Sequence, residues 1–502
     1  MQRKPFFYDV TLRDGNQALA KPWNTEEKTR VFDQLIKLGV QGIEVGFAGA
    51  SDMDFAACEH LARRAPDDVV IAGLARAVKR DIEKVYEAIQ YAAKPRIHTF
   101  IATSPFNMAN VLKMEPADVK KRAVEMVSYA KSLVGERGSV QFSAEHFGDC
   151  RENMDFVLEV LDAVVKAGAT TLNLPNTVER YRPQYFIDMV SQVVAAMPKH
   201  IDIAVHTHND LGMATATTVE SYFAGANQLE CALNGLGERA GNTNFYEVAV
   251  ALHNCGVEVP IHMNEIYETA LLVSEWAHVP IWEKAPLIGA EAVAHRSGIH
   301  QDGATKTKGM SKGAYRPIDY SLIGRTDNDV ITFTSQSGRT AVWEIINGGG
   351  YNMSIEEATH FQPILKEISE QEGELGETRV IELFKEYAIN KAGVLRFQHI
   401  QIQDENRFEF GYKLNGNAKI SVIEAEGPIE ACLRLMKKEG FDIELLEYQQ
   451  VVVPAQDKDW AGRALSVIRI KKGDQVVVGR GVDNDTLIAN MKAVFCGVNL
   501  LV

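Results

Sequence analysis

The 502-residue chain has no apolar run near the roughly 18–20 residues that a membrane-spanning helix requires. Its first dozen residues carry Asp9 inside their apolar part, so they read as an opening strand rather than a signal peptide. Cysteine pairs are also missing. Cys58, Cys150, Cys231, Cys255, Cys432 and Cys496 are scattered without a Cys-x-x-Cys, which suggests neither a disulfide framework nor a structural zinc site. A reducing, cytoplasmic setting is therefore the default. Positive charge is short as well: 53 Lys plus Arg against 67 Asp plus Glu leave a net charge of −14. Such a surface disfavours nucleic acid and anionic membrane as partners.

What remains is an ordinary globular composition, 46% hydrophobic and 24% charged, long enough for two or three domains. Through the first half one unit recurs: a short β-rich run, a polar loop, then a stretch of helical periodicity. Eight runs fall at residues 6–12, 42–47, 69–74, 96–102, 139–145, 170–174, 201–206 and 228–233. Amphipathic stretches such as 25–38, 79–89, 117–133, 153–167 and 242–254 separate them. Thr25, with Glu27 and Lys28 behind it, and Pro116, followed by Asp118, mark helix starts; Gly39, Gly168 and Gly256 mark helix stops.

Strands alternating with helices imply parallel pairing. Eight units in about 255 residues match a (β/α)8 TIM barrel. A doubly wound open sheet is the alternative, but its Gly-rich first turn is absent. In a barrel the chemistry belongs at the C-terminal strand ends. Those ends carry Arg13 with Asp14, then Glu44, Arg76, His98, Glu145, Thr177, His206 with His208, and Asn234 leading into Glu238-Arg239. Their convergence on one mouth is the main argument for an enzyme.

The catalytic barrel is assigned to residues 1–280 and a helical linker region to 281–390. A C-terminal α+β regulatory domain takes 391–502, where two β-rich halves, each closed by a helix, look duplicated. Linker helices are expected over 359–369 and 378–389, with a Lys- and Gly-rich loop over 303–317 and a flexible turn at Gly348–Gly350.

His206-Thr-His208 puts two imidazoles two residues apart at a strand end, on one face. With Asp14 of the first strand as an anionic oxygen ligand, that set fits a divalent cation: zinc, manganese, magnesium or cobalt. A cation open to substrate oxygens is a Lewis acid. Arg13 beside it is a rim salt bridge or a cation for a developing oxyanion. Glu145, taken alone, is an ordinary strand-end carboxylate. The loop from Asn234 to Thr243 is punctuated by glycines, so its backbone amides can meet an anion, but no Gly-Lys-Ser/Thr follows. Beyond the barrel, Lys306, Lys308, Lys312, Tyr315 and Arg316 make a basic stretch suited to a nucleotide-like anion such as coenzyme A.

Leu12-Arg13-Asp14-Gly15-Asn16-Gln17, then His206-Thr207-His208-Asn209-Asp210-Leu211-Gly212, and the run from Gly235 to Asn242 resemble the signatures of the 2-isopropylmalate synthase family. So do the stretch from Ser297 to Gly303 and Tyr315-Arg316-Pro317-Ile318-Asp319. The resemblance covers nearly the whole chain, more loosely at its C-terminal end.

It implies condensation of acetyl-CoA with 3-methyl-2-oxobutanoate, giving 2-isopropylmalate and free CoA as the first committed step of leucine biosynthesis. Asp14, His206 and His208 would bind the metal, with Asn242 as a further oxygen donor. Arg13 would polarise the ketone; His98, Ser143, Asn173, Pro175 and Thr177 would line the oxo-acid pocket. Glu145 and His300 would assist removal of a methyl proton, with Tyr315 near the reacting carbons. His300 and Tyr315 would come from the partner subunit of a homodimer, and leucine would be the effector. Pro175-Asn176-Thr177-Val178-Glu179 departs from the family, which commonly has Asp and Gly at the Asn176 and Glu179 positions; the hairpin around 457–462 also departs from its small-residue turn. Citramalate synthase, with pyruvate as acceptor, and a catalytically silent amino-acid sensor are the alternatives.

Overall fold

Inside the first unit, side chains alternate along each strand between two environments. In residues 139–145, Val140, Phe142 and Ala144 join the large apolar cluster between strands and helices. Gln141, Ser143 and Glu145 alternate with them and face the barrel interior. The same alternation sends Leu172, Leu174, Ile203, Val205 and Leu229 outward, leaving Asn173, His206 and Glu230 inside. Each large apolar side chain so buried contributes about 1.5–3 kcal/mol. The interior thus keeps a polar layer that the outer shell stabilises.

The computed structural model describes residues 3–327, 329–453 and 462–502. Eight parallel strands close into a barrel in sequential order: β1 (Phe6–Asp9), β2 (Gly42–Glu44), β3 (Val70–Arg76), β4 (Lys94–Ala102), β5 (Ser139–Glu145), β6 (Thr171–Asn176), β7 (Asp202–Thr207) and β8 (Gln228–Cys231). Closure is direct, with Tyr8 of β1 opposite Glu230 of β8, and excludes the open sheet.

The expected helices form at Thr25–Leu38, Lys79–Ile89, Pro116–Val134, Met154–Lys166 and Phe245–Asn254. Two starts differ from expectation. Asn24, not Thr25, caps the first helix through a reciprocal pair with Glu27, and Asn244 caps the last, leaving Asn242 in the loop before it. Gly39, Gly168 and Gly256 all adopt positive φ at the expected stops. Three strands are shorter than expected: β2 ends at Glu44, β8 at Cys231 and β1 at Asp9, after which Thr11–Gly15 winds into a π-helical turn. Arg13 and Asp14 ride on that turn rather than on the strand.

The barrel, residues 3–293 with 318–327, is one compact unit; residues 294–317 with 329–502 form a second. In the second, β9 (Ala294–His295) pairs in parallel with β10 (Val330–Ile331). Helices follow at Arg339–Gly348, Ile355–Glu372 and Glu377–Ala388, while Gly298–Lys306 turns part of the expected loop into helix. The β-rich tail is duplicated as expected. The antiparallel sheet β11 (Leu395–Asp404), β12 (Arg407–Leu414), β13 (Asn417–Glu424) is followed by helix Pro428–Lys438. The sheet β14 (Glu444–Val452), β15 (Ala464–Lys472), β16 (Gln475–Asp483) is followed by helix Thr486–Leu500. Most of the hairpin expected around 457–462 lies outside the described residues. No helix among the described residues is long and apolar enough to cross a membrane.

Candidate metal centre and barrel-mouth site

A cavity of about 360 Å³ opens at the C-terminal ends of the strands. Arg13, Asp14, His98, Ser143, Glu145, Asn173, Pro175, Thr177, His206 and His208 all line it. With Arg76, Glu238 and Arg239, which line it too, thirteen residues singled out in sequence thus meet in one place. Asn242 lies just behind Asp14, whereas His300 and Tyr315 belong to the second unit.

Asp14, His206 and His208 form a buried triad whose ligand atoms lie within 4.8 Å of one another. The two imidazole Nε2 atoms are 3.2 Å apart, and each faces Asp14 Oδ2, at 3.4 Å and 3.8 Å. Two nitrogens so close need either a hydrogen on one of them or a cation bound by both. Burial opposes charge on His206, yet Asp14 and Glu230 outweigh it and draw positive charge to that ring. Burial, then His206, push His208 down to about 3, which keeps its ring neutral as a ligand must be. Burial likewise works to raise Asp14, but Arg13 and the two histidines hold its carboxyl well below the usual range. The donor set of two nitrogens and one carboxylate oxygen therefore fits a divalent cation.

The triad is held from behind. Glu230, absent from the sequence-based list, accepts from His206 Nδ1 at 3.2 Å, turning Nε2 toward the cavity. Gln141, Gln228 and Asn173 also donate to Glu230, at 2.7 Å, 3.1 Å and 3.2 Å. Asp14 Oδ1 takes Arg13 Nη1 at 3.1 Å and Gln17 Nε2 at 3.0 Å. Asn242 donates its amide N–H to Asp14 Oδ2 at 2.8 Å, and its Oδ1 is buried with no hydrogen-bond partner among the described residues. A Cβ at Gly237 would stand 2.4 Å from Asn242 Nδ2, so only glycine leaves room for that approach.

Glu44, fully buried at the end of β2, anchors the other side. It accepts from Arg13 Nε, His98 Nδ1 and Tyr8 Oη. Burial opposes its charge, but Arg13 and His98 overcome that and bring it down to about 2. His98 Nε2 then meets Ser143 Oγ at 2.6 Å, and Asn173 Nδ2 donates to the same oxygen at 2.8 Å. Because Asn173 also reaches Glu230, a continuous hydrogen-bonded chain runs around the barrel from Arg13 to His206. Glu145 lies outside that chain, and burial raises its carboxyl above the ordinary value.

Four amides of the glycine-punctuated loop are not free to meet an anion. The amides of Gly235, Leu236, Gly241 and Asn242 are spent on the carbonyls of Ala232, Leu233, Glu238 and Gly235. Its Arg239 instead binds Asp210 Oδ1 at 2.7 Å and the Thr177 carbonyl at 2.8 Å, joining the loops after β6, β7 and β8. Glu179 takes part in the same tie, accepting the Leu211 N–H at 2.7 Å. In the basic stretch, Lys306, Lys308 and Arg316 pair with Asp302, Glu344 and Asp329.

Sequence reasoning misses Glu230, Gln141, Phe47, Leu74 and Phe100, although all contribute to the site or its support. The signal for the first two was available: a Glu and a Gln inside strands whose alternate residues are apolar.

Three family models match the chain. HMGL-like covers residues 4–273, the alpha-isopropylmalate synthase post-catalytic domain-like model covers 291–347, and the LeuA allosteric (dimerisation) domain covers 374–502. The 2-isopropylmalate synthase 2 of Leptospira interrogans serogroup Icterohaemorrhagiae serovar Lai is 60% identical over 369 residues, 74% of this chain and 86% of that protein. The 2-isopropylmalate synthase of Pyrococcus abyssi is 35% identical over 498 residues, 97% of this chain and 100% of that one. Likeness carried from the Asp14 turn to the last helix leaves one conclusion: the chain belongs to the 2-isopropylmalate synthase family.

Proposed function

We propose that the chain condenses acetyl-CoA with 3-methyl-2-oxobutanoate and releases 2-isopropylmalate and CoA. The observation that carries this reading is one cavity holding a metal triad, the Arg13 cation and a basic Glu145. A divalent cation bound by Asp14, His206 and His208, with Asn242 beside them, would supply Lewis acidity toward the oxo acid. Arg13, fixed by Glu44, donates toward the ketone oxygen as negative charge gathers there. Ser143, Asn173 and His98 offer polar contacts to the oxo acid. Pro175 and Thr177, with Leu74 and Phe100, give its side chain an apolar wall.

Glu145 takes a proton from the acetyl methyl group, a role its raised basicity suits. The electron pair left on that carbon forms the new bond to the ketone carbon as the C=O π pair moves onto oxygen, which then takes up a proton from solvent and ends as a hydroxyl. Water then cleaves the thioester, and CoA leaves as a thiol. His300 and Tyr315 complete the site of the partner subunit in a homodimer. Both are exposed, and their rings stack at 4.1 Å. Met53, Phe106, Val111, Tyr181 and Leu211, all in segments following barrel strands, leave an apolar rim for a second copy to cover. Leucine is the effector at the C-terminal domain, whose sheets expose Ile402, Ile420, Leu446 and Val452 for pairing between copies. Six cysteines without a disulfide suit a cytoplasmic setting.

The test is thiol release from acetyl-CoA with a panel of 2-oxo acids. Fastest turnover is expected with 3-methyl-2-oxobutanoate. Faster turnover with pyruvate would overturn the assignment in favour of a citramalate synthase.

A further inference from the structure

The stacked pair His300 and Tyr315 is exposed on the second unit, yet its geometry is tightly specified. The rings are 4.1 Å apart and within 18° of parallel. A side chain at position 303 would meet the Tyr315 ring at 2.5 Å, so Gly303 lets the tyrosine lie against the helix that bears His300. That helix is fastened to both short strands by the buried Gln301, which donates to the His295 carbonyl at 2.8 Å and the Thr332 carbonyl at 2.6 Å.

Beneath the pair lies one carboxylate. Asp329, the residue before β10, accepts from His295 Nε2 at 3.0 Å with Oδ1 and from Arg316 Nη1 at 2.6 Å with Oδ2. The Arg316 side chain is only 3% exposed and that of His295 only 7%. Arg316 is the chain neighbour of Tyr315, and the His295 ring stands edge-on to both stacked rings at 6.5 Å. The His295 ring and the Tyr315 loop are thus held by two oxygens of a single group. Removing it leaves a buried guanidinium without its anion, still donating to the Met310 carbonyl, a costly state that loosens the hold on the loop.

We propose that Asp329 is a positioning residue for the reaction, fixing Tyr315 against His300 through Arg316 and His295. This rests on the reading that the pair completes the partner's site. It touches no substrate. Its effect is to hold the two rings in the one arrangement they present across the subunit boundary.

The experiment uses full-length chains carrying two different tags, co-expressed and purified as heterodimers. Asp329→Ala alone should lower kcat by roughly 10- to 100-fold, the cost of a misplacement near 1 Å, with KM for the 2-oxo acid little changed. Adding His300→Ala should cost little more, because both act through one pair. Heterodimers of Asp329→Ala with Asp14→Ala should recover activity, one site being intact, whereas those with His300→Ala should not. Arg316→Met, which breaks the clamp from its other end, should repeat the pattern if Asp329→Ala folds poorly. Wild-type kcat in Asp329→Ala and Arg316→Met, or losses that multiply fully with that of His300→Ala, would overturn the proposal. Failure of His300→Ala and Asp14→Ala to complement each other would instead remove the shared-site reading on which it stands.

Discussion

Glu230 accepts the Nδ1 hydrogen of His206 at 3.2 Å across the β7–β8 pair, and so decides which nitrogen of that ring is free to bind a metal. Glu230→Gln keeps the shape but loses the charge. Metal affinity should fall about 10- to 100-fold, as is usual when such an outer partner is lost. Titration of the metal-stripped protein with zinc or manganese checks this, and an unchanged affinity would count against the role.

Glu44 anchors Arg13 and His98 without touching the cavity itself. Glu44→Ala leaves a buried guanidinium with Asp14 as its remaining anion among the described residues. A loss of about 3–5 kcal/mol is expected in the stability of the barrel. The denaturant midpoint reports it, and a shift under about 1 kcal/mol would show that the pair is not structural.

Burial raises Glu145, so its conjugate base appears only above the ordinary carboxylate value near 4.3. As the proposed base it requires kcat to rise with pH through that displaced value. Glu145→Gln should flatten this acid limb and lower kcat by about 100-fold or more. The pH–rate profiles of both proteins decide it; a surviving limb would assign the titration elsewhere.

Asp9 has no role in the cavity, yet it shapes the turn that carries Asp14, accepting from the Thr11 N–H at 2.9 Å and the Thr11 hydroxyl at 2.8 Å. Burial lifts its pKa to about 7, the two bonds from Thr11 notwithstanding. The folded state therefore binds more protons than the unfolded one between about pH 4 and 7, and stability falls as pH rises through that window. Asp9→Asn should remove that slope and leave the protein more stable than wild type at pH 8, by a few kcal/mol at most. Parallel unfolding curves at pH 5 and pH 8 test it.

The barrel was legible because each strand–helix unit announces itself locally, through periodicity and through glycines such as Gly39 and Gly168 at helix ends. Asp14, His206 and His208 were legible because their spacing carries chemistry. The π-turn at Thr11–Gly15 was not, since it depends on Asp9 and on Leu233, whose N–H reaches the Thr11 hydroxyl from 222 residues away. Glu230 was missed for a related reason. A carboxylate at an interior position of a strand signals a buried polar role, but its partners His206 and Asn173 are set only by the strand pairing and the closed barrel interior. Asp329 likewise joins residues from β9 and the Tyr315 loop that local patterning does not connect.

The central claim is that Asp14, His206 and His208 hold the ion on which the reaction depends. It is tested most directly by metal content, measured by elemental analysis on purified wild type and His208→Ala. The variant should lose most of its bound metal together with its condensing activity, while its fold by circular dichroism is kept. Metal content equal to wild type in a folded His208→Ala protein would contradict it.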